Sequence, residues 1–348
     1  MLARQSIFKQ TPKLLKPRNL ATPPCIFRNT KQFTTTAINM GGDQPEIITA
    51  YKELTSIKAQ TQELPGKDVD MDPLAEFTKL EDWDDDGKPY LREYVGSGKL
   101  KGKKAIVTGG DSGIGRSAAQ LFAREGADVT IVYLPEEEED AQNAKKAIEA
   151  DGQQCLALAL DLMKADQAEA IVKKHIEKFG KLDILVNNAS KQIMCTDIAE
   201  IELANVESTF RSNILGMFAL TKFAVPHLKR GSAIINTSSV TAFKGSPGMM
   251  DYSSTKGAIV TFTRSLAGQL APKGIRVNAV CPGPVFTPLQ PASRPAENME
   301  GWTVGGTPLH GRASMPAEMG PSYVFLASAD ANAMTGHMLH VNNGQWIG

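Results

Sequence analysis

The stretch Thr108-Gly109-Gly110-Asp111-Ser112-Gly113-Ile114-Gly115-Arg116 decides the fold. It follows a short apolar run, Ala105–Thr108, and leads into a helical pattern, Arg116–Arg124. Its glycines allow positive φ and a close approach of a ligand to the backbone, and the helix start offers free N–H groups and a positive dipole end. A glycine-rich turn alone is weak evidence. Placed between the first strand and first helix of a βαβ unit, it predicts a pyrophosphate site for a dinucleotide.

Short apolar runs alternate with helical patterns through the rest of the chain, including Ala165–Phe179 and Val206–Lys229. This alternation predicts βαβ units and a parallel sheet covered by helices on both faces. The expected fold class is α/β, a single Rossmann-type doubly wound domain with a seven-stranded, mostly parallel sheet. The predicted strands are Ala105–Thr108, Val129–Tyr133, Cys155–Ala159, Ile184–Val186, Ala233–Thr237, Arg276–Cys281 and Met338–Val341.

The chain before residue 99 divides into two zones, and the Rossmann domain is expected to take residues 99–348. Residues 1–40 are basic and rich in hydroxyls, with no acid before Asp43. This composition is typical of a mitochondrial transit peptide, so the expected location is the mitochondrial matrix, with the cytoplasm as the alternative. A disordered basic tail, or an extension before a start at Met40, is the competing interpretation. Residues 41–98 are polar and turn-rich, which predicts an extended arm over the core or over a neighbouring subunit.

Composition excludes several classes of protein. The 348 residues carry 38 basic and 38 acidic side chains, so no global charge argues for nucleic acid or an acidic membrane surface. No apolar run approaches the roughly 20 residues of a membrane-spanning helix. The four cysteines are widely spaced and include no Cys-x-x-Cys pair, which argues against a disulfide framework or a structural zinc site. No metal is expected.

Tyr252 and Lys256 open a helical pattern that runs to about Leu270, and their spacing of four places them on one helix face. A tyrosine that exchanges a proton with a carbonyl or an alcohol needs a lowered pKa, which a nearby ammonium supplies by favouring the phenolate. In isolation the pair could equally be exposed residues of an amphipathic helix. Ser239 follows the strand Ala233–Thr237, where parallel sheets place ligand sites, and could hydrogen-bond a substrate oxygen.

Residues 99–348 closely resemble the classical short-chain dehydrogenase/reductase family. The resemblance implies an NAD(P)-dependent oxidoreductase that acts on CH–OH groups. By this resemblance Tyr252 would be the general acid/base. Lys256 would lower the pKa of Tyr252 and hold the nicotinamide ribose. Ser239 would orient the carbonyl, and Asn213 would support a water-mediated proton relay. The motifs are Thr108-Gly109-x-x-x-Gly113-x-Gly115, Asn187-Asn188-Ala189, Ser239, Tyr252-x-x-x-Lys256 and Pro282-Gly283. The implied cofactor contacts are Thr108, Gly109, Asp111, Ser112, Gly113, Ile114, Gly115, Tyr133, Asp161, Leu162, Asn188, Ala189, Tyr252, Lys256, Pro282, Gly283, Val285 and Thr287.

The arm and the turn Thr108–Gly115 are also similar to the glucose/ribitol dehydrogenase-like subgroup, whose members carry such an arm. Two departures from the family pattern stand out. Ser190 replaces the usual glycine after Asn187-Asn188-Ala189, and Asn342-Asn343-Gly344 stands where Asp-Gly-Gly is commoner. The resemblance further implies a homo-oligomer, commonly a homotetramer, and a small-molecule substrate.

Cofactor choice is only weakly indicated. Tyr133-Leu134 ends the second strand and supplies neither the acid that would bond the ribose of NAD nor the arginine that would receive the phosphate of NADP. Glu136–Glu139 would repel that phosphate, although Arg116 could offset them. The sequence therefore favours NAD slightly over NADP.

The segment Thr287–Pro308 is predicted to form a mobile lid over the substrate, and its charges Arg294, Glu297 and Glu300 define no binding partner. A second enzymatic hypothesis is a mitochondrial 3-oxoacyl-thioester reductase. Enoyl reduction is disfavoured because the resemblance implies a longer tyrosine–lysine spacing there. A non-catalytic nucleotide-binding sensor or scaffold is the third hypothesis, and the complete catalytic set argues against it.

Overall fold

The computed structural model describes residues 46–345, so the predicted transit peptide and the first residues of the arm lie outside the described part of the chain. Seven parallel strands form the central sheet. The strands are β3 (Lys104–Thr108), β4 (Asp128–Tyr133), β5 (Cys155–Ala159), β6 (Ile184–Asn187), β7 (Ala233–Thr237), β8 (Arg276–Pro282) and β9 (Met338–Val341). Their order across the sheet is β5-β4-β3-β6-β7-β8-β9. Each predicted strand is confirmed to within about two residues.

Helices cover both faces of this sheet, as parallel strands require. One face packs against α1 (Gly113–Arg124), α2 (Glu138–Ala150) and α9 (Pro316–Ala327). The other packs against α3 (Ala165–Phe179), α5 (Gly216–Ala224) and α7 (Met250–Leu270). Fully buried Phe122 and Leu220 are typical of the two layers, and burying such a side chain stabilises the fold by roughly 1.5–3 kcal/mol. The shorter helices are α4 (Leu203–Phe210), α6 (Thr241–Lys244) and α8 (Leu289–Ala292).

The helical stretch predicted at Val206–Lys229 is confirmed, but it is not a regular α-helix. The chain forms α4, then a π-helical segment Arg211–Leu215, then α5, and it ends in a 3-10 turn at Val225–His227. A π turn holds one residue more than an α turn and recurs at functional sites. Pro226 lies in the closing turn and lacks the N–H that would continue the helix.

The strand order reverses beside β3, which lies between β4 and β6. In open α/β sheets this switch point leaves a crevice at the carboxyl ends of the strands, where ligands bind. The glycine turn after β3, Asn188 after β6, Ser239 after β7 and Gly283 after β8 all meet at this edge. The topology therefore gathers the motifs into one place.

The described part of the arm, residues 46–98, lies on the core of its own chain. It contains a two-stranded antiparallel hairpin that the sequence did not predict, β1 (Lys79–Trp83) with β2 (Pro89–Glu93). Its buried side chains Tyr51, Leu54, Ile57 and Met71 pack against Phe286, Met299, Ala313 and Met315. Within the described residues no helix is long and apolar enough to cross a membrane.

The buried Arg312 side chain ties the arm to the region before α9. Its guanidinium is fully buried and donates hydrogen bonds to Thr49 and Glu81 of the arm and to Glu318 of α9. It also lies 4.7 Å from the ring centroid of Tyr51. Because removing one partner would leave a buried charge uncompensated, these contacts hold the arm in place.

Candidate active site

A cavity of about 580 Å³ opens at the carboxyl edge of the sheet, between the glycine turn and α7. This volume is in the range of ordinary cofactor and substrate pockets. The structure brings most of the predicted site residues to its wall. They are Gly109, Asp111, Ser112, Gly113, Ile114, Tyr133, Asp161, Leu162, Asn188, Ala189, Ser239, Tyr252, Lys256, Pro282, Gly283, Val285 and Thr287.

Three predicted residues, Thr108, Gly115 and Asn213, lie behind the wall. The Thr108 hydroxyl accepts hydrogen bonds from the N–H groups of Asn188 and Ala189, at 2.9 and 3.0 Å. A Cβ on Gly115 would lie 1.8 Å from the carbonyl oxygen of Gly109. Both residues therefore shape the turn without facing the ligand space.

The glycine turn forms a cradle that side chains would fill. Gly109 and Gly113 have φ of +61° and +48°, in the left-handed region that favours glycine. A Cβ on Gly113 would lie 3.0 Å from the Thr287 side chain across the cavity. Gly113 and Ile114 at the amino end of α1 line this space, and a helix start favours an anion, so the residues present fit the pyrophosphate of a dinucleotide.

Ser239, Tyr252 and Lys256 face the other end of the cavity. The Ser239 oxygen accepts hydrogen bonds from the N–H and the hydroxyl of Thr241, both at 3.1 Å, so its own hydrogen is free to donate to a substrate oxygen. The buried Lys256 ammonium donates to the Thr237 carbonyl at 2.9 Å and lies 5.2 Å from the ring centroid of Tyr252. The hydroxyl, phenol and ammonium thus converge on one space.

Burial dominates the acid–base properties of this end. It raises the pKa of Tyr252 to about 12, while the Ser239 hydroxyl and the Arg294 guanidinium act to lower it. It lowers the pKa of Lys256 to about 7. The expected lowering of the tyrosine pKa by Lys256 stays a prediction, because the groups that lower it here are Ser239 and Arg294.

Asn213 lies in the π-helical segment and fixes the loop after β6. Its side-chain oxygen accepts the N–H of Lys191 at 2.7 Å, and its amide donates to the Lys191 carbonyl at 2.8 Å and to the Thr255 hydroxyl at 3.1 Å. Asn213 is buried, and Thr255 stands next to Lys256 on α7. Asn213 therefore joins the cavity loop to the catalytic helix, and its role in a proton relay stays a prediction.

Arg294 lies in the predicted lid segment, and the sequence alone assigned no binding role to its charge. Its guanidinium donates to the carbonyl and side-chain oxygens of Gln290, at 3.1 and 2.6 Å, and lies 5.1 Å from the Trp302 ring. Gln290 lines the cavity. Because the Arg294 charge acts on the phenol of Tyr252, the lid contributes to the electrostatics of the catalytic end.

Two buried acids, Asp111 and Glu137, line the cofactor end. Neither carboxylate oxygen of Asp111 accepts a hydrogen bond of ordinary geometry from the described residues. Glu137 accepts the N–H of Leu134 at 2.8 Å. Burial raises the pKa of both acids, and the charge of Asp111 raises that of Glu137 further. The sequence predicted Asp111 as a cofactor contact and Glu136–Glu139 as acids near the ribose, and the structure places Asp111 and Glu137 on the cavity wall.

Comparison with known proteins agrees with this geometry. A family model described as enoyl-(acyl carrier protein) reductase matches residues 109–345. An uncharacterized oxidoreductase of Bacillus subtilis, YhdF, is 52% identical over 73% of this chain and 87% of the relative. The chloroplastic NADPH-dependent aldehyde reductase 1 of Arabidopsis thaliana is 42% identical over 84% and 98%, and the glucose and ribitol dehydrogenase of Daucus carota is 41% identical over 80% and 93%.

Solved structures resemble the chain as well. A short-chain dehydrogenase of Burkholderia cenocepacia in complex with NADP has a TM-score of 0.66 and 30% identity, covering 71% of this chain and 98% of that one. The 3-ketoacyl-(acyl-carrier-protein) reductase of Brucella melitensis complexed with NADH has a TM-score of 0.63 and 33% identity, covering 70% and 98%.

The fold, cavity and acid/base group define the class of nicotinamide-dependent oxidoreductases. Within that class the chain belongs to the short-chain dehydrogenase/reductase family. It is an NAD(P)-dependent enzyme that interconverts a carbonyl and an alcohol. Neither the thioester reductase nor the non-catalytic sensor is favoured, because the curated relatives described above carry oxidoreductase, aldehyde reductase and polyol dehydrogenase names.

Proposed function

We propose that this enzyme reduces small polar aldehydes and oxidises the matching alcohols, with Tyr252 as the general acid/base. The observation that carries the proposal is the convergence of Ser239, Tyr252 and Lys256 at one end of a cavity whose other end is a glycine cradle. A bound nicotinamide nucleotide supplies or accepts the hydride. The protein's own groups move and hold the proton.

In reduction, the Ser239 hydroxyl and the Tyr252 phenol donate hydrogen bonds to the carbonyl oxygen and polarise it. The phenol then gives its proton to that oxygen as the charge develops. Lys256 and Arg294 stabilise the phenolate that remains, and Lys256 holds the nicotinamide ribose. In oxidation the same phenolate takes the proton of the alcohol.

The polar wall at the substrate end supports a polar substrate. Lys191, Gln290 and Ser190 line it, and the buried Ser190 hydroxyl has no hydrogen-bond partner among the described residues. The Ser190 oxygen is closed to solvent in this structure, so a substrate hydroxyl would satisfy it only after a small shift of the cavity wall. The names of the Arabidopsis and Daucus relatives, an aldehyde reductase and a glucose and ribitol dehydrogenase, point to the same substrate class.

A substrate panel tests this class. Purified enzyme would be assayed with short aldehydes, hydroxyaldehydes, sugars, polyols and a 3-oxoacyl thioester, each with both cofactors. We expect the highest kcat/KM among aldehydes that carry a hydroxyl group, and Ser190→Gly should reduce that preference severalfold without affecting a plain aldehyde. Turnover confined to the thioester would refute the proposal.

The preferred cofactor is proposed to be NAD. Asp111 and Glu137 line the cofactor end, where their carboxylates, once ionised, would repel a 2′-phosphate. Lys164 also lines the cavity, but its ammonium lies 3.8 Å from the Asp161 carboxylate. The two acids would therefore discriminate against NADP, whereas Tyr133 at the end of β4 carries no charge that could do so.

Replacement of each acid tests the preference. At pH 9, above the pKa of about 7 for Asp111 and about 8 for Glu137, Asp111→Asn and Glu137→Gln should each lower the Kd for NADP about tenfold relative to NAD, because each removes a like charge near the phosphate. The exposed Glu139→Gln on α2 is the matched control. A wild-type enzyme that binds NADP more tightly than NAD would contradict the preference and leave the catalytic proposal intact.

A homotetramer is proposed as the working assembly. Leu203, Leu215 and Phe218 are 74%, 55% and 53% exposed along α4, the π segment and α5. Such an exposed apolar face is typical of a subunit interface. Light scattering should give the mass of four chains, and Phe218→Asp should lower it, whereas Val95→Asp on the exposed arm should not.

Mitochondrial import is proposed from residues 1–40 alone. A reporter fused to residues 1–45 should enter the matrix, because a cationic leader is drawn to the import machinery. Neutralising Arg4, Lys9 and Lys13 together should leave the reporter in the cytosol. A wild-type fusion that stays in the cytosol would refute the proposal.

A further inference from the structure

Residues 57–68 of the arm, here called the strap, cross the molecule from the lid towards the glycine turn. The Gly301 N–H donates to the Ile57 carbonyl at 2.8 Å, and the Gln62 N–H donates to the Pro291 carbonyl at 3.1 Å. Both bonds join backbone to backbone. The predicted lid is therefore tied at two points to a segment more than two hundred residues earlier in the chain.

The middle of the strap forms part of the cavity wall. Leu64 and Pro65 line the same cavity as Tyr252. Gly66 follows with φ of +86°, and a Cβ there would lie 2.7 Å from the Pro288 carbonyl oxygen. The strap thus contacts the lid so closely that only a glycine fits.

The strap ends at the glycine turn. Asp68 has a side chain only 4% exposed, and its carboxylate accepts the Gly113 N–H at 3.1 Å and lies 3.8 Å from the Arg116 guanidinium. Its position is fixed in turn by Asp140, whose carboxylate accepts the N–H groups of Asp68 and Val69 at 2.7 and 3.2 Å. The Asp68 carboxylate of the arm therefore accepts a hydrogen bond from the backbone N–H of Gly113, the first residue of α1.

We propose that the strap is a working part of the active site, and that Asp68 is a positioning residue for the cofactor. By accepting the Gly113 N–H, Asp68 sets the direction in which the neighbouring N–H groups of the turn point. Pyrophosphate binding depends on that direction, since those groups are its hydrogen-bond donors. The inference rests on the assignment of the glycine turn as the cofactor site.

Position rather than charge is the basis of this role. Burial raises the pKa of Asp68 to about 8, with Arg116 acting to lower it and Asp140 to raise it. A neutral carboxyl group retains a carbonyl oxygen that accepts a hydrogen bond. An asparagine would keep that acceptor, and an alanine would remove it.

Three variants test the role of Asp68. The Kd for NAD and NADH would be measured by titration calorimetry or nucleotide fluorescence, with the thermal midpoint of each cofactor-free variant beside it. Asp68→Ala should raise the Kd about tenfold, because the buried Gly113 N–H loses its partner. Asp68→Asn should stay within about twofold of wild type. The exposed Asp70→Ala, two residues along, should change nothing.

Each contrary result has a distinct meaning. Equal Kd values for Asp68→Ala and Asp70→Ala would overturn the inference, as would an Asp68→Asn variant as weak as Asp68→Ala, since charge would then be the cause. If the wild-type enzyme binds neither NAD nor NADP, the proposed function itself fails. If the wild-type enzyme binds the cofactor and the Asp68 variants leave the Kd unchanged, only the role proposed for the strap is refuted.

A pair of glycines tests the contact between strap and lid. Gly66→Ala places a methyl group against the Pro288 carbonyl, whereas Gly87→Ala, at a similar φ of +74° in the hairpin turn, meets open space. We expect Gly66→Ala to raise the carbonyl KM and the cofactor Kd together, severalfold each. Gly87→Ala should alter neither, and circular dichroism should show both variants folded. Equal kinetics for the two variants would overturn the contact's role.

Discussion

The two ends of the cavity hold buried titratable groups of opposite kind, acids at the cofactor end and bases at the catalytic end. At the cofactor end, burial raises the pKa of Asp68, Asp111 and Glu137. At the catalytic end, burial lowers the pKa of Lys256 to about 7 and that of Arg294 to about 10. One physical cause therefore moves both sets of groups towards their neutral forms.

The difference teaches how the work is divided between the ends. At the cofactor end, backbone N–H groups and a helix dipole are available to bind the anionic pyrophosphate, and carboxyl groups lie beside them. Cofactor affinity therefore depends on geometry and on how far those acids ionise. The catalytic end must stabilise a phenolate and places two cations near it. Geometry and the ionisation of the acids govern the cofactor end, whereas cations near the phenol govern the catalytic end.

Removal of the phenol should have the largest effect, and it falls on the catalytic end alone. Tyr252→Phe should lower kcat about a thousandfold, because the proton donor is lost, while the cofactor Kd stays within about twofold. The exposed Tyr90→Phe on the hairpin is the control. Steady-state kinetics with a cofactor titration measures both, and near-normal turnover in Tyr252→Phe would refute the mechanism.

Replacement of the buried ammonium should affect both ends. Lys256→Met keeps much of the side-chain volume and removes the donor to Thr237. We expect kcat to fall about a hundredfold and the cofactor Kd to rise severalfold, since this group is also proposed to hold the nicotinamide ribose. The exposed Lys273→Met should behave as wild type. A variant that lost turnover with an unchanged cofactor Kd would show that Lys256 serves only the phenol.

Cofactor affinity should fall as pH rises from about 7 to 9. An acid with a raised pKa is neutral below that pKa and anionic above it, so Asp111 and Glu137 repel the pyrophosphate more strongly at higher pH, with Arg116 in partial opposition. We expect the Kd for NADH to rise roughly threefold to tenfold.

Lys256 loses its charge in the same direction, so a variant must separate the two causes. The double variant Asp111→Asn with Glu137→Gln should flatten most of the pH dependence. If Kd stays constant across this range in the wild-type enzyme, the acids do not govern the cofactor end.

The smallest expected effect is a shift of a pH profile. The Arg294 guanidinium acts to lower the pKa of Tyr252, so Arg294→Gln should raise it and move the rise of alcohol-oxidation kcat to higher pH. Oxidation needs the phenolate, which then forms only under more alkaline conditions. The exposed Arg264→Gln on α7, the helix of Tyr252, should leave the profile in place. An unmoved profile in Arg294→Gln would show that the lid's charge does not reach the phenol in solution.

The sheet could be predicted because each strand carries its own signal. The run Val129–Tyr133 is buried on both faces within β4, and a continuous apolar run of that length is what a parallel strand requires. Tyr252 and Lys256 were predicted to share a helix face from the 3.6-residue period, and α7 places both on the cavity wall. Local pattern was sufficient in both cases.

The arm gave no such signal. No residue of strands β1 and β2 is fully buried, so their sequence has neither a buried run nor a clear alternation. Asp68 meets Gly113 across 45 residues of sequence, and nothing near either residue indicates the pairing. Arg294 was set aside for the same reason, because only the folded lid places it near Tyr252. Long-range contacts made by single side chains cannot be predicted from the periodicity of the sequence.

The arm contacts also bear on the order in which the chain can fold. Glu81 and Arg312 are 231 residues apart, so a ribosome that adds about 5–20 residues per second makes the second roughly ten to fifty seconds after the first. During that interval Tyr51 and Leu54 of the arm lack the later residues against which they pack, such as Phe286 and Met315. Closing so long a loop costs entropy that is recovered only at the end. Docking of this first part of the arm is therefore among the last steps of assembly, and the strap, whose Gly66 contacts Pro288, completes the cavity at the same stage.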